Sequence, residues 1–486
     1  MERLESNEIG DWRLETGDWG VGETGQSPIP NLQSLETQRL VSYSLPVSGL
    51  SALDFLRQAE GQERFLWEDV RDRITLAGFG AAVNVMGWGN GRYAHIRQQA
   101  QALFQNAILL GDAPDLARPR LFGGFAFRDD FLPDNTWAAF HPAHFIRPHY
   151  QYVRVGHKAW LTINALIPLA DDPEHSLPIL QEALEARRDL LLEIGDWRLG
   201  SERQSPISNP QSLSYPLSPA DWAAIINAAR AEIRGGALKK VVLSRVCEAR
   251  FAGRVDIYRS LDYLNAHYGD CYRFVFEPRP FHTFLGATPE LLAKVDGPTL
   301  TTMALAGSIR RSPDPLEDAA LGQQMMESAK DRHEHEVVVM SILGRLAPLT
   351  SQLEISPAPG VYKLSNIQHL FTPIRATLAD PDGILPLVEA LHPTPALGGS
   401  PRAQALEFIS RAEPVPRGWY AAPVGWIDYK LDGAFAVAIR SAVVQERRAW
   451  LYAGAGIVAD SEPEKEWTET ELKFKPMFEA LGIVNC

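Results

Sequence analysis

Cysteine is scarce in this chain: Cys247, Cys271 and Cys486 are its three, odd in number and far apart, which excludes a disulfide framework and suits a reducing cytoplasm. No apolar run approaches membrane-spanning length, so no helical anchor is expected. Basic charge is short as well. A net charge of -13 argues against nonspecific nucleic-acid binding, which needs a basic footprint. The opening MERLESNEIG is acidic and polar, unlike a secretion signal or an Arg-rich transit peptide. No HExxH zinc pattern occurs, and GFGAAVNVMG at 78–87 lacks the GxGxxG spacing of a dinucleotide loop. What remains is a chain of 486 residues with 45% hydrophobic content, enough for one large unit or two to three domains.

A repeat organises the sequence without belonging to its fold. EIGDWRL occurs at 8–14 and again at 193–199, followed by QSPIPNLQSL at 26–35 and QSPISNPQSL at 204–213. Copies so far apart cannot stack as a solenoid. They read as low-complexity segments, an N-terminal tail over 1–36 and an inserted linker over 194–215, with a docking role for Trp12, Trp19 and Trp197 as the alternative. Residues 37–193 then form an N-terminal portion and 216–486 a second region.

Strand-like pieces fill the first portion: FLWEDV at 65–70, LAGFGAAV at 76–83, LFGGFAF at 121–127 and HKAWLTINAL at 157–166, before a helix over 173–193. After the linker, Ser218 and Pro219 open a helix whose buried stripe is Trp222, Ile225, Ile226, Ala229 and Ile233, ended by Gly235 and Gly236. KKVVLSRVCEARF at 239–251 is a β-branched strand in which Lys240 shares a face with Val242 and Ser244. Short strands lead to a long helix over 315–347. GAFAVAIRSAVVQ and AWLYAGAGIV then run into an acidic helix near 461. Strands that look antiparallel, with separate long helices, make the fold class α+β.

Four carboxylates stand in two pairs at helical spacing. Asp331 and Glu334 are i and i+3, as are Glu466 and Glu469, and Lys473 joins the second face. Ser461 is placed to cap the second helix, with Glu464 completing a capping box and Pro463 in the first turn. Oxygen ligands without cysteine favour a hard cation such as Mg²⁺. His333 and His335 point to different sides of their helix and add nothing to a zinc reading. Solvated charged faces are the alternative for either run alone.

Nine segments occur in one order: KVVLSR at 240–245, LGATPELL at 285–292, LAGSIRR at 305–311, KDRHEHE at 330–336, NIQHL at 366–370, HPTPALGGSP at 392–401, PVGWID at 423–428, AIRSA at 438–442 and AGAGIVADSEPEKEWTETELK at 453–473. Together they resemble the chorismate-utilising enzymes, which include isochorismate and salicylate synthases and the synthase subunits for anthranilate and aminodeoxychorismate. RFLWED and LFGGFAF resemble the N-terminal half of isochorismate synthases. The resemblance implies two large β-sheets with helices packed outside and an Mg²⁺-dependent site between them.

It also implies roles for individual residues. Lys240 takes the place of the base that activates water, where ammonia-using relatives carry Gln, and Glu290 that of the acid for the leaving C4 hydroxyl. A free lysine is protonated at neutral pH, so such a base needs burial or a neighbouring cation. Glu334 and Glu469 would hold Mg²⁺ against the ring carboxylate of chorismate, with Asp331 and Glu466 acting directly or through water. Arg440, Tyr420 and Lys473 would hold the enolpyruvyl end, assisted by backbone from Gly454, Ala455 and Gly456. Gly307 would lie near the leaving hydroxyl, His369 against the ring, and Ala396 and Leu397 beside the reacting carbons. Ala306 stands where aminodeoxychorismate synthases carry a nucleophilic lysine. No glutaminase-like motif occurs, so no glutaminase subunit is expected, and a monomer is the default. The expected activity is isochorismate synthase, feeding a naphthoquinone such as menaquinone or phylloquinone. The alternatives are salicylate synthase and a noncatalytic chorismate-binding relative.

Overall fold

The computed structural model describes residues 35–198 and 210–483. Its branch point is strand Ala143–Val155, whose thirteen residues offer two long edges. One edge pairs with Ile74–Gly87 along its whole length. The other pairs with Arg120–Phe125 at its start and with Lys158–Pro168 at its end.

Two sheets grow from this fork, as the resemblance implies, although shared strands join them in one hydrogen-bonded network. The first runs from Ile74–Gly87 through Arg64–Asp69, Tyr272–Arg279, His282–Thr288, Ser441–Gln445 and Arg448–Ile457 to Lys240–Phe251. The second runs from Arg120–Phe125 through Pro423–Asp428, Gly433–Val437, Leu291–Asp296 and Thr299–Arg310 to Ile367–Leu378. Neighbouring strands in both are antiparallel, in keeping with α+β.

The chain passes between the sheets twice, side by side. His282–Thr288 lies in the first sheet and Leu291–Asp296 in the second, so Pro289 and Glu290 form a crossing. Gly433–Val437 and Ser441–Gln445 make the return crossing through Arg440. Backbone bonds tie the two crossings: Val437 N donates to Glu290 O at 3.0 Å and Ala287 N to Arg440 O at 3.1 Å. GAFAVAIRSAVVQ is therefore two strands rather than one continuous one, bent at Arg440, whose φ is 51°. A left-handed backbone at an arginine is strained, and the flanking ladders hold it there.

A large aromatic core lies behind these crossings. Trp419 stacks on Phe276 at 4.9 Å and meets Phe140 edge-on at 5.4 Å, while Trp137 meets Phe284 at 5.2 Å. Helices Ala52–Arg57, Ile257–His267 and Pro463–Ala480 bury a second core against the outer face of the first sheet, and Pro173–Arg198 continues it over strands Gln38–Val47 and Lys158–Pro168.

Several element boundaries differ from the sequence reading. The expected long helix over 315–347 is two helices, Pro315–Glu327 and Ala329–Leu346, because Ser328 adopts extended backbone and caps the second through Asp331 N. Helix Pro463–Ala480 has Pro463 in its first turn as expected, but its cap is Glu462 without a side-chain bond. Ser461 lies one residue too early for the expected capping box, and its Oγ accepts from Val458 N in the preceding turn. Helix Pro219–Arg234 does carry a capping box, from Ser218 to Asp221. The helix expected over 173–193 continues to Arg198, and Pro210–Ser214 pairs with strand Lys240–Phe251, so both ends of the expected linker have regular backbone. The N-terminal tail up to residue 34, with Trp12 and Trp19, lies outside the described residues, as do 199–209 and Cys486.

Candidate active site

The crossings open onto a cleft between the two sheets. It is lined by Lys240, Glu290, Gly307, Glu334, His369, Ala396, Leu397, Tyr420, Arg440, Gly454, Gly456, Glu469 and Lys473. Of the residues singled out from the sequence, Asp331, Glu466 and Ala455 stand outside this lining. Asp331 lies against Gly307, where an added Cβ would come within 3.3 Å of the Asp331 Cβ. Ala455 is buried in strand Arg448–Ile457, paired with Leu243. Glu466 is buried one helical turn before Glu469.

Lys240 enters from the start of its strand and is 4% exposed. Its Nζ donates to Glu334 Oε1 at 2.6 Å. Gly456 lies against the lysine stem, and a Cβ there would fall 2.8 Å from Lys240 Cε, so a larger residue would displace the end of the lysine. Although burial opposes its charge, the Lys240 ammonium, its hydrogen bond and Lys473 hold the Glu334 carboxyl below the usual range. Lys473 Nζ in turn reaches Glu469 Oε1 at 2.6 Å and Gly454 O at 2.8 Å.

Glu290 has a different environment. Burial pushes its carboxyl up to about 7, outweighing the opposing effect of Lys240 and Lys473. A carboxyl that keeps its proton near neutrality is suited to donate one.

Two buried groups face the cleft without a protein partner among the described residues, Arg440 Nη1 and His369 Nε2. His369 Nδ1 lies 2.9 Å from Gly307 O, which fixes the proton on Nδ1 and leaves Nε2 as an acceptor. Burial, followed by the Arg440 charge, lowers the imidazole to about 3, so the ring is neutral. Unsatisfied buried polar atoms are costly, and a polar ligand would relieve both. Tyr420 stacks on Tyr452 at 5.0 Å, and Tyr452 Oη accepts from Trp137 Nε1 at 3.1 Å, so the aromatic core fixes this wall.

The carboxylates fit a hard cation by donor chemistry. Burial, then repulsion from Glu469, pushes Glu466 up to about 7, outweighing its bond to Ser461 and the charges of Lys330 and Lys473. Among the described residues, no three acidic, histidine or cysteine side chains converge as a preformed metal cage. Glu334 and Glu469 are instead each engaged by a lysine. Such a site suits Mg²⁺, which takes few protein ligands and completes its shell with water and substrate oxygens.

Sequence reasoning missed part of the lining: Val242, Pro289, Leu305, Ser308, Ile439, Tyr452 and, above all, Arg417. Arg417 sits in PRGWY beside Tyr420, and a lone arginine before glycine carries no spacing signal.

Comparison with known proteins shows the family of the chain. The sequence profile described as "Chorismate binding enzyme" matches residues 27–482. The salicylate biosynthesis isochorismate synthase of Pseudomonas aeruginosa is 36% identical over 95% of this chain and 94% of its own length. The isochorismate synthase MenF of Bacillus subtilis is 35% identical over 91% of this chain and 93% of its own. Among solved structures, the menaquinone-specific isochorismate synthase MenF of Escherichia coli superposes with a TM-score of 0.73 at 27% identity, covering 93% of this chain and 97% of that one. Anthranilate synthase component I of Streptococcus pneumoniae shares the fold at 20% identity and a TM-score of 0.66. The chain belongs to the family of chorismate-binding enzymes.

Proposed function

We propose that this protein is an isochorismate synthase, which adds water at C2 of chorismate as the C4 hydroxyl leaves. The observation that carries the reading is the buried Glu290, holding its proton to about 7 within electrostatic reach of Lys240 in one cleft. One group suits protonation of the departing oxygen and the other suits activation of water. Nearly full-length similarity to isochorismate synthases supports the same assignment.

In this mechanism Arg440 and Lys473 bind the enolpyruvyl end, with Tyr420 and the Gly454–Gly456 backbone shaping its seat. His369 accepts a hydrogen bond from the ring side through Nε2, while Ala396 and Leu397 wall the reacting carbons. Glu334 and Glu469 would hold Mg²⁺, with Asp331 and Glu466 directly or through water. Bound there, Mg²⁺ would offset the repulsion between the ring carboxylate and these acids. In its unprotonated amine form Lys240 takes a proton from water, and Glu290 gives one to the C4 oxygen.

The protein acts as a cytoplasmic monomer without a glutaminase subunit. Its product feeds a naphthoquinone, a reading supported by similarity across the length of MenF of Bacillus subtilis, whereas the isochorismate synthase DhbC of the same organism matches 58% of this chain. Incubation with chorismate and Mg²⁺ tests the chemistry: isochorismate is the expected product. Pyruvate released in step with chorismate loss would instead make the protein a salicylate synthase, and no turnover would leave a binding protein. Loss of naphthoquinone from a strain lacking the chain tests the pathway.

A further inference from the structure

Strand Lys240–Phe251 carries the proposed base, yet among the described residues one of its edges has no continuous partner strand. At its start, Gly399 and Ser400 pair with Val241 and Lys240, and Val242 N donates to Gly398 O at 3.0 Å. At its end, Pro210–Ser214 takes over from Glu248 to Phe251. Between these, two side chains bond to the edge. Ser244 N donates to Glu413 Oε1 at 2.7 Å, and Val242 O accepts from Arg417 Nη2 at 2.7 Å.

Glu413 and Arg417 are themselves a buried, two-pronged ion pair. Nη2 meets Oε1 at 2.6 Å and Nε meets Oε2 at 2.8 Å, with side chains 6% and 3% exposed. The remaining prong, Nη1, donates to Leu397 O at 2.9 Å. Phe127 lies under the guanidinium at 4.3 Å, and the Arg417 carbonyl accepts from Tyr420 N at 2.8 Å. One arginine thus touches the strand of Lys240, the Leu397 wall and the backbone of Tyr420.

We infer that the Glu413–Arg417 pair is a positioning unit for the hydration step, setting the separation between Lys240 and the Ala396–Leu397 wall. Desolvating both charges is expensive, and a pair of apolar residues would fill the space without that cost. A planar fork with fixed donor directions sets distances that an apolar contact cannot. The hydrogen bonds of the pair go to Ser244, Val242 and Leu397 and not to helices Ala329–Leu346 or Pro463–Ala480, which carry the proposed metal carboxylates. Its loss should therefore affect the chemical step and leave metal response intact.

The inference rests on the isochorismate synthase reading, and wild-type product analysis separates the two. If the wild type makes no isochorismate, that reading falls first. With it standing, Arg417→Lys keeps the charge but loses the fork, and kcat should fall by about 10²-fold, the scale of an ångström-sized misplacement. The Mg²⁺ concentration for half-maximal activity should stay close to wild type and KM should change less than kcat, both read well below the thermal midpoint, which the loss of a buried pair lowers. Glu413→Gln, which keeps the shape, should lower kcat in the same manner. The double variant should lose little more than Arg417→Lys alone, because the pair acts as a unit. Wild-type kcat in Arg417→Lys, additive losses, or a parallel shift in metal response would each overturn the inference.

Discussion

Lys240 Nζ and Glu334 Oε1 meet at 2.6 Å, with side chains only 5% and 17% exposed, so the proposed base and a proposed metal ligand share one oxygen. Lys473 and Glu469 repeat the arrangement across the cleft. In each case a protein cation neutralises an acid that is a candidate for Mg²⁺. The pairing explains how so acidic a site can fold: an isolated buried carboxylate would be costly, and the lysines supply the missing charge.

Replacing either acid should expose this sharing. Glu334→Gln and Glu469→Gln each remove a charged oxygen, so each should need far more Mg²⁺ for half-maximal turnover than the wild type. A titration of activity against Mg²⁺ checks this. An unchanged curve for either variant removes that residue from the metal site.

Lys240→Gln should fold and bind chorismate, because Arg440 and Lys473 do not depend on it, while hydration should fall by about 10²-fold or more. Single-turnover chorismate loss, set beside binding measured in the same variant, separates the two effects. Full activity would exclude Lys240 as the base.

How far the site could be read from sequence depended on the kind of contact. Lys240, Glu290, Glu334 and Glu469 stand in motifs whose order survives in one chain, and the structure brings all four to one cleft. The two crossings are less legible, because Glu290 and Arg440 owe their places to a change of sheet that alternation of residue types does not record. AVAIRSAV reads as one strand until the 51° φ of Arg440 divides it. The Ser328 break was hidden for a similar reason, since one capping serine between two good helical sequences leaves the periodicity almost intact. Glu413 and Arg417 were invisible because their partners, Ser244, Val242 and Leu397, are distant in sequence and mostly offer backbone atoms.

Gly456→Ala tests the packing behind the base. The new methyl would fall 2.8 Å from Lys240 Cε and 3.5 Å from Glu334 Oε1, so the lysine has to move. Turnover should drop by at least about tenfold, as expected for a displaced catalytic group. Steady-state kinetics with a thermal melt would show whether activity falls while the fold holds. Wild-type kcat would mean that the lysine position is not critical.

The segment read from sequence as an inserted linker gives a prediction of the opposite sign. Residues 204–213 nearly repeat 26–35, and such polar, Ser- and Pro-rich sequence resists burial. Replacing 199–209 with a Gly/Ser linker of equal length should leave kcat within about twofold, since linkers of that composition tolerate exchange. A tenfold loss in a folded variant would show that the segment serves the catalytic cleft.

Glu290 links catalysis and stability to pH with a definite sign. Its carboxyl holds the proton up to about 7 in the folded chain, against 4.5 as the ordinary value. As the acid it must be protonated, so kcat/KM should decline as pH rises through about 7, and Glu290→Gln should lose turnover by about 10²-fold or more. Stability follows the same proton. Below 4.5 both folded and unfolded chains hold it and the group is neutral in its effect on pH dependence; between 4.5 and 7 only the folded chain does, so the stability this group retains at low pH is lost as pH climbs through that window. The loss amounts to roughly 3 kcal/mol by the free-energy equivalent of such a shift. Glu290→Gln carries no titrating proton there, so its unfolding free energy should decline less between pH 4.5 and 7 than that of the wild type. Parallel denaturant titrations across the window measure the difference, and superimposable profiles for the two proteins would show that Glu290 titrates as an ordinary surface carboxylate.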